Sequence, residues 1–289
     1  MLIKTTDTES IKELLIQLYI PSNNSHKGQN GRVLIIGGSS LFHSASIWAA
    51  EIASHFVDIV HYSSTIENNE IFLSLKKKFH NGIVVAKNDL EFYINEDDAI
   101  LIGPGMSREQ NDEGKYTYSL TKSIIEKFSN KRFVFDAGSL QMMKPDWLLN
   151  LKQSPILTPH QIEFERLFKI EIINQSFEEK IKSVEKVAKQ YRCIILLKAI
   201  DDIISDGVNT YVIKGGNAGL TKGGTGDILA GLTVAFYAKN NPLLSAILAS
   251  YFIKRSGDQL FKTVATWYNN DDIIKIIPKT IKELVYDNK

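Results

Sequence analysis

Cysteine is almost absent: Cys193 is the single one among 289 residues. One thiol excludes an intrachain disulfide framework, and in its β-like apolar run Cys193 is expected as a small core residue. An excess of charge of either sign is lacking too. Lys and Arg number 34 against 33 Asp and Glu, a formal net charge of +1. That balance implies no affinity for nucleic acid or for a membrane surface. No apolar run reaches the roughly 20 residues of a membrane span, and the N-terminus lacks a signal-peptide core. A cytoplasmic protein is expected. Internal repeats and low-complexity blocks are missing as well. What is present is 44% hydrophobic and 23% charged residues. A chain of this size can bury a large core, and one large α/β domain fits as well as two small ones.

Short apolar runs alternate with helical patterns along the chain. Thr8 to Tyr19 carries Ile11, Leu14, Leu15 and Leu18 at helical spacing, with Thr8 or Ser10 as cap and Pro21 beyond. Arg32 to Ile36 is apolar at successive positions, which predicts a strand covered on both faces, as in a parallel sheet. It stops at Gly37-Gly38-Ser39-Ser40, and Ser44 to Ser54 predicts the following helix. Ala99 to Ile102 repeats the design and ends at Gly103-Pro104-Gly105. Arg132 to Phe135 is followed by Asp136, which by itself suits a loop cap. Pro155-Ile156-Leu157 meets Thr158-Pro159-His160, where a helix with Glu163 begins. Three β-like segments follow, with Asp206-Gly207 as a hairpin turn. Asp271 to Asp287 predicts a last helix interrupted at Pro278. The alternation argues an α/β fold with a central, mainly parallel sheet covered by helices.

One stretch dominates the chemistry. Tyr211-Val212-Ile213 leads into a segment rich in glycine (Gly215, Gly216, Gly219, Gly223, Gly224 and Gly226), and a long apolar helical run follows from Leu229. A strand, a glycine turn and a helix start aim several backbone N–H groups and the positive helix end at one point, which is an anion site. It is neither a Walker A loop nor a dinucleotide fingerprint, because Lys222 precedes the last glycines. Asp227 lies inside this cradle. A carboxylate there repels a phosphate unless it takes a proton from an attacking hydroxyl or holds a metal. As a plain helix cap it would need no such role.

Asn217-Ala218-Gly219-Leu220-Thr221-Lys222-Gly223-Gly224-Thr225-Gly226-Asp227 resembles a signature of the ADP/ATP-dependent NAD(P)H-hydrate dehydratases. The Gly31-to-Ser39 strand and turn, the Gly103-Pro104-Gly105 turn and Thr158-Pro159-His160 are similar to the same family, so the likeness spans about residues 26 to 280. It implies one ribokinase-like domain, a three-layer α/β/α fold with the N-terminal helix 8–19 as an extension. It implies repair of hydrated NADH or NADPH, as the S-epimer, with ADP or ATP as co-substrate and Mg2+ as cofactor. Phosphorylating the ring hydroxyl turns a poor leaving group into phosphate, which the ring nitrogen's lone pair expels.

The roles that this resemblance implies fall on particular positions. Asp227 would be the base toward the ring hydroxyl, and Gly223, Gly224, Thr225 and Gly226 the phosphate cradle, with Asn217 beside it. Lys198, Ala199, Ile200, Asp201 and Asp202 would border the donor nucleotide. Ala45, Gly105 and His160 would contact the hydrated dinucleotide, and Glu163 or Asp136 would reach magnesium through water. A homo-oligomer without nucleic acid or membrane partners is expected. Several positions depart from the family: Ser44 and Ser46 flank Ala45 in place of Gly and Pro, and Ser54 to Asp58 replaces a glycine-rich turn. Ala199 and Asp202 replace the Gly and Thr of Lys-Gly-x-x-Thr, and the acids there are expected to weaken nucleotide binding unless they point away or hold magnesium. Two other readings stay open: a pyrimidine- or thiazole-alcohol kinase of the same superfold, whose motif has Asn where His160 stands, and an inactive nucleotide-binding regulator.

Overall fold

The computed structural model describes residues 1–287. Among these residues ten strands form one sheet: β1 (Leu2–Lys4), β2 (Arg32–Ile36), β3 (Ile59–Ser63), β4 (Ile83–Val84), β5 (Ala99–Ile102), β6 (Arg132–Phe135), β7 (Ile156–Leu157), β8 (Ile194–Leu197), β9 (Asp201–Ser205) and β10 (Thr210–Lys214). Their order across the sheet is β1-β10-β9-β8-β7-β6-β5-β2-β3-β4. Only β9 runs against its neighbours, β8 and β10.

The apolar runs become central strands because both of their faces are buried. Val33, Ile35, Leu101, Val134 and Leu196 belong to one core cluster, and Leu34, Ile36, Ile102, Phe135 and Leu197 to the other. This is the period of two of a strand, apolar on both sides. Helices cover each face: α1 (Lys12–Leu15), α2 (Ser44–Ala53), α3 (Ile66–Ser74), α4 (Leu90–Glu96), α5 (Asp112–Lys127), α6 (Ala137–Met142), α7 (Gln161–Phe168), α8 (Phe177–Tyr191), α9 (Thr225–Tyr237), α10 (Pro242–Val264) and α11 (Asn270–Val285). Residues of α2, α9, α10 and α11 fill the first cluster, and residues of α5, α7 and α8 the second. Three layers result. No helix among the described residues is long and apolar enough to cross a membrane.

Two terminal expectations change. The helix expected over Thr8 to Tyr19 is only a 3-10 turn at Glu9–Ile11 and the single turn α1. Neither expected cap forms: Thr8 makes no side-chain cap bond, and the Ser10 hydroxyl bonds the Asp7 carbonyl. Four residues are too few to be helical without tertiary support. Leu14, Leu15 and Leu18 do pack against the core, but Tyr19 N–H donates to Asn240, drawing the chain away. Ahead of it, β1 joins the sheet parallel to β10, which the sequence reading did not foresee. At the other end Pro278 does not interrupt α11, which runs through it with Ile273, Ile274, Ile277 and Ile281 buried. Packing of that face outweighs the one backbone bond that proline removes.

From β2 the chain winds outward through β3 to β4; it then crosses to β5 on the other side of β2 and winds the opposite way. The carboxyl ends of β2 and β5 therefore flank a switch point, where an open α/β sheet leaves a crevice.

Candidate active site

The glycine-rich segment is a shaped loop held from several sides. Gly224 occupies the N-cap of α9 with φ 99, a left-handed conformation that favours glycine. Asn217 binds within the protein: its Nδ2 donates to the Gly257 carbonyl, while its Oδ1 accepts from Gly219 N–H and the Tyr268 hydroxyl. Asn217, expected beside the nucleotide, braces the glycine loop in this way. Lys222 Nζ donates outward to the Thr266 carbonyl. Asn270 Nδ2 donates to the Gly223 carbonyl at 2.8 Å. The Thr225 hydroxyl is buried without a hydrogen-bond partner among the described residues. The first N–H groups of α9 open onto this loop, as at any helix start.

Adjacent parallel strands bring the ionisable groups together. Asp136 follows β6, Thr158 to His160 follow β7, and Lys198 follows β8. Lys198 Nζ donates to Asp136 Oδ1 at 2.8 Å and lies 4.0 Å from Glu163 Oε2. Thr158 Oγ1 donates to the same Asp136 oxygen at 2.7 Å. Although burial works against its charge, Asp136 and Glu163 hold the Lys198 ammonium above its usual range. Asp227 faces this cluster from α9. Burial first, then the like charges of Asp136 and Glu163, raise its carboxyl to about 7, against the pull of Lys198. A carboxylate so tuned is matched to proton transfer near neutrality.

His160 begins α7 through a capping box. Its Nδ1 accepts from Glu163 N–H, and Glu163 Oε2 accepts from His160 N–H at 2.9 Å. Nδ1 as acceptor places the proton of the neutral ring on Nε2. Burial lowers the pKa of this imidazole, keeping it neutral. Glu163 Oε1 also accepts from Gln141 Nε2. Among the described residues no group of three or more His, Cys, Asp or Glu is placed to grip a metal directly.

At the switch point, Ala45 and Gly105 touch: a Cβ on Gly105 would lie 2.9 Å from that of Ala45. The departures around Ala45 are accommodated. Ser46 shares a buried hydrogen bond with Tyr62, and Ser44 opens α2 at the surface. Asp58, where a glycine turn was expected, accepts from the N–H groups of Gly28 and Asn30.

Asp202 takes one of the arrangements left open by its sequence position, pointing away from the cleft. Its carboxylate does not face the loop's exterior: it is buried, with Oδ1 accepting from Ala199 N–H and Oδ2 from the Ser250 hydroxyl. Lys254 Nζ lies 3.4 Å from it. Burial raises the Asp202 pKa while Lys254 pulls it down. Asp201 pairs with Lys214 at 3.9 Å, and Ile200 points to solvent. Asp202 thus points away, the arrangement in which no repulsion of a nucleotide is expected. Asp202→Thr is expected to destabilise by about 3 kcal/mol or more, since it strands a buried ammonium. Thermal unfolding checks it; an unchanged midpoint would show the pair to be dispensable.

Sequence reasoning did not find Trp48, Tyr268, Asn270 or Lys254, which shape the loops from elements distant in the chain. A Cβ on Gly224 would lie 2.4 Å from the Trp48 ring. No local pattern marks such contacts; glycine at 224 was the one signal that something approaches closely.

A family model described as NAD(P)H-hydrate dehydratase matches residues 33–279. A bifunctional NAD(P)H-hydrate repair enzyme of Methanocaldococcus jannaschii is 33% identical over 268 residues, 90% of this chain and 50% of the relative. The chain thus spans about half the length of that relative. An ADP-dependent (S)-NAD(P)H-hydrate dehydratase of Nitrosopumilus maritimus is 30% identical over 288 residues, 95% of this chain and 97% of the relative. A ribokinase-like superfamily protein of Enterococcus faecalis superposes with TM-score 0.81 at 23% identity, covering 94% of each chain. That likeness shows the fold, which is ribokinase-like.

Proposed function

This chain belongs to the NAD(P)H-hydrate dehydratase family, and on that premise we propose that it converts the S-epimer of hydrated NADH or NADPH back to the dinucleotide, with ADP or ATP as phosphate donor. The observation that carries the reading is Asp227, raised to about 7, in the first turn of the helix that the glycine loop opens. A pure binding protein gains nothing from a carboxylate there, which disfavours the inactive regulator.

The chain's groups divide the work. The α9 N-terminus and the N–H groups around Gly223 to Gly226 hold the donor's terminal phosphoryl group and stabilise its growing charge. Asp227 takes the proton of the ring hydroxyl as its oxygen bonds phosphorus, and the bond from phosphorus to the donor breaks. The ring C–O bond then cleaves as the nitrogen lone pair moves in; phosphate leaves and the neighbouring ring carbon loses a proton. NAD(P)H, phosphate and a nucleotide shorter by one phosphate are the products. Lys198, the one cation that the described residues place among these three carboxylates, offsets part of their mutual repulsion.

Asp136 and Glu163 fit a magnesium ion held through water: their oxygens already serve Lys198, Thr158, His160 and Gln141, yet the cluster carries excess negative charge. Such an ion would neutralise the donor's phosphates. A homo-oligomer in the cytoplasm belongs to the same proposal.

His160 favours a dinucleotide over a small alcohol. Its side chain is 44% exposed beside the cluster, and neutral Nε2–H can donate to a ligand. Asn also caps helices well, so His160→Asn is expected to leave thermal stability within about 0.5 kcal/mol. NADPH binding is expected to weaken about 10-fold or more, with ADP binding little changed. Paired titrations check this. The proposed function itself is tested by incubating the protein with hydrated NADH and either nucleotide and following nicotinamide absorbance. Phosphorylation of a pyrimidine or thiazole alcohol, with the hydrate ignored, would give the kinase reading its place.

A further inference from the structure

The three-residue strand β1 lies on the edge of the sheet beside β10 and takes no part in the chemistry above. Its far end does meet the glycine segment. β10 stops at Lys214, and the chain then turns through Gly215 and Gly216 at φ 144 and φ 77, conformations that favour glycine. Thr5, the residue after β1, is fully buried against this turn. A Cβ on Gly215 would run into the Thr5 side chain, and one on Gly216 would meet Leu220 at 2.8 Å. The way out of β10 is therefore filled on both sides.

Every polar group of Thr5 is engaged. Its N–H donates to the Lys214 carbonyl at 2.9 Å, its carbonyl accepts from Arg255 Nη1 at 2.6 Å, and its hydroxyl donates to Asp258 Oδ2. Arg255 and Asp258 share one turn of α10, and Gly257 between them offers its carbonyl to Asn217 Nδ2 at 2.8 Å. One turn of helix thus holds both Thr5, which backs Gly215, and Asn217, which follows it. Valine suits a sheet edge as well as threonine does, so the sheet alone gives no reason for this hydroxyl. Bonded to a carboxylate, it makes a charge-assisted clamp.

We propose that Thr5 is a positioning residue for the phosphoryl transfer: held by Asp258 and Arg255, it backs Gly215 and fixes the direction in which the glycine segment leaves β10. The edge strand β1 is then a working part of the phosphate cradle. Asn217 passes the constraint on, since its Oδ1 holds Gly219 N–H ahead of the loop's last glycines. A loop held beforehand loses less freedom when the phosphate arrives. The inference rests on the reading that this loop holds the donor's phosphates.

Titration calorimetry with ADP and with NADPH tests it. Thr5→Val keeps the shape and loses the hydroxyl; it is expected to weaken ADP about 10-fold while NADPH holds within about twofold. Thr5→Ser, which keeps the hydroxyl, is expected to recover most of the ADP affinity. Ile3→Val trims a buried residue of the same strand and is the control: its unfolding midpoint is expected to fall with ADP affinity unchanged. Asp258→Ala frees the same hydroxyl from a partly exposed helix position, so it serves even if Thr5→Val does not fold. Unchanged ADP affinity in the clamp variants, an equal loss in Ile3→Val, or a loss of NADPH as large as that of ADP overturns the proposal and leaves the dehydratase reading intact. Wild-type protein that binds neither ADP nor ATP defeats the nucleotide-donor reading, and this inference with it.

Discussion

Asp227→Asn is expected to lower kcat by roughly 10²–10⁴-fold, the usual worth of a general base. The substitution keeps the size and shape of the side chain, so the first turn of α9 should stand. What goes is the ability to take a proton. Affinity for ADP or ATP is expected to hold or rise, since a like charge leaves the phosphate site. The wild type supplies an independent check through pH. Burial, then Asp136 and Glu163, raise the Asp227 carboxyl to about 7, and only its ionised form accepts a proton. kcat/KM is therefore expected to fall as pH drops through about 7 and to level off above it. Nicotinamide absorbance recovered from hydrated NADH reads both. A variant with near-normal turnover would move the base elsewhere.

Gly224→Ala is expected to do comparable damage by another route. Gly224 has φ 99, and a Cβ there would meet Asn270 Nδ2 at 2.1 Å and the Trp48 ring at 2.4 Å. Positive φ in alanine costs roughly 1–3 kcal/mol, and forcing a methyl into packed surroundings adds about 1–3 kcal/mol. Neither neighbour can retreat freely, since Asn270 holds the Gly223 carbonyl and Trp48 lies on α2. Relief must come from the start of α9, which carries the cradle and Asp227 together. Activity is expected to fall about 100-fold or more, the loss that attends a misplacement of about 1 Å. Gly223→Ala is the control: no atom lies within 4 Å of a Cβ there, so stability should hold within about 0.5 kcal/mol. Thermal unfolding and kinetics on the pair decide it. Equal behaviour of the two variants would mean that the loop yields more than its contacts imply.

The central strands and the glycine turns at their ends were legible before any coordinates. Runs such as Val33 to Ile36 and Ala99 to Ile102 are apolar at every position, and in short segments this suits a strand covered on both faces. The glycine segment and its acid could be read for the same reason: residues contiguous in the chain make a helix start and its turn. Less legible were segments whose structure depends on what covers them. Residues 8 to 19 have a helical period, yet the helix stops at Leu15 and the chain beyond it is tied to Asn240 through Tyr19 N–H. Pro278 would end an isolated helix, and the buried isoleucines around it keep α11 whole.

The division at the site follows the range of the forces. The sequence alone determined which residues stand at the strand ends and that Asp227 enters a helix start behind a glycine turn, because periodicity and turn geometry are properties of neighbours in the chain. It could not assign charge states. Asp136, Glu163 and Asp227 lie far apart in sequence, and only the fold places them around Lys198, where burial and Coulomb repulsion push one carboxyl to about 7. Asp202 shows the same limit: beside a nucleotide it would repel phosphate, but turned inward it meets Lys254 and Ser250. Distance through space, not along the chain, sets electrostatic energy and desolvation, and only the tertiary structure supplies those distances.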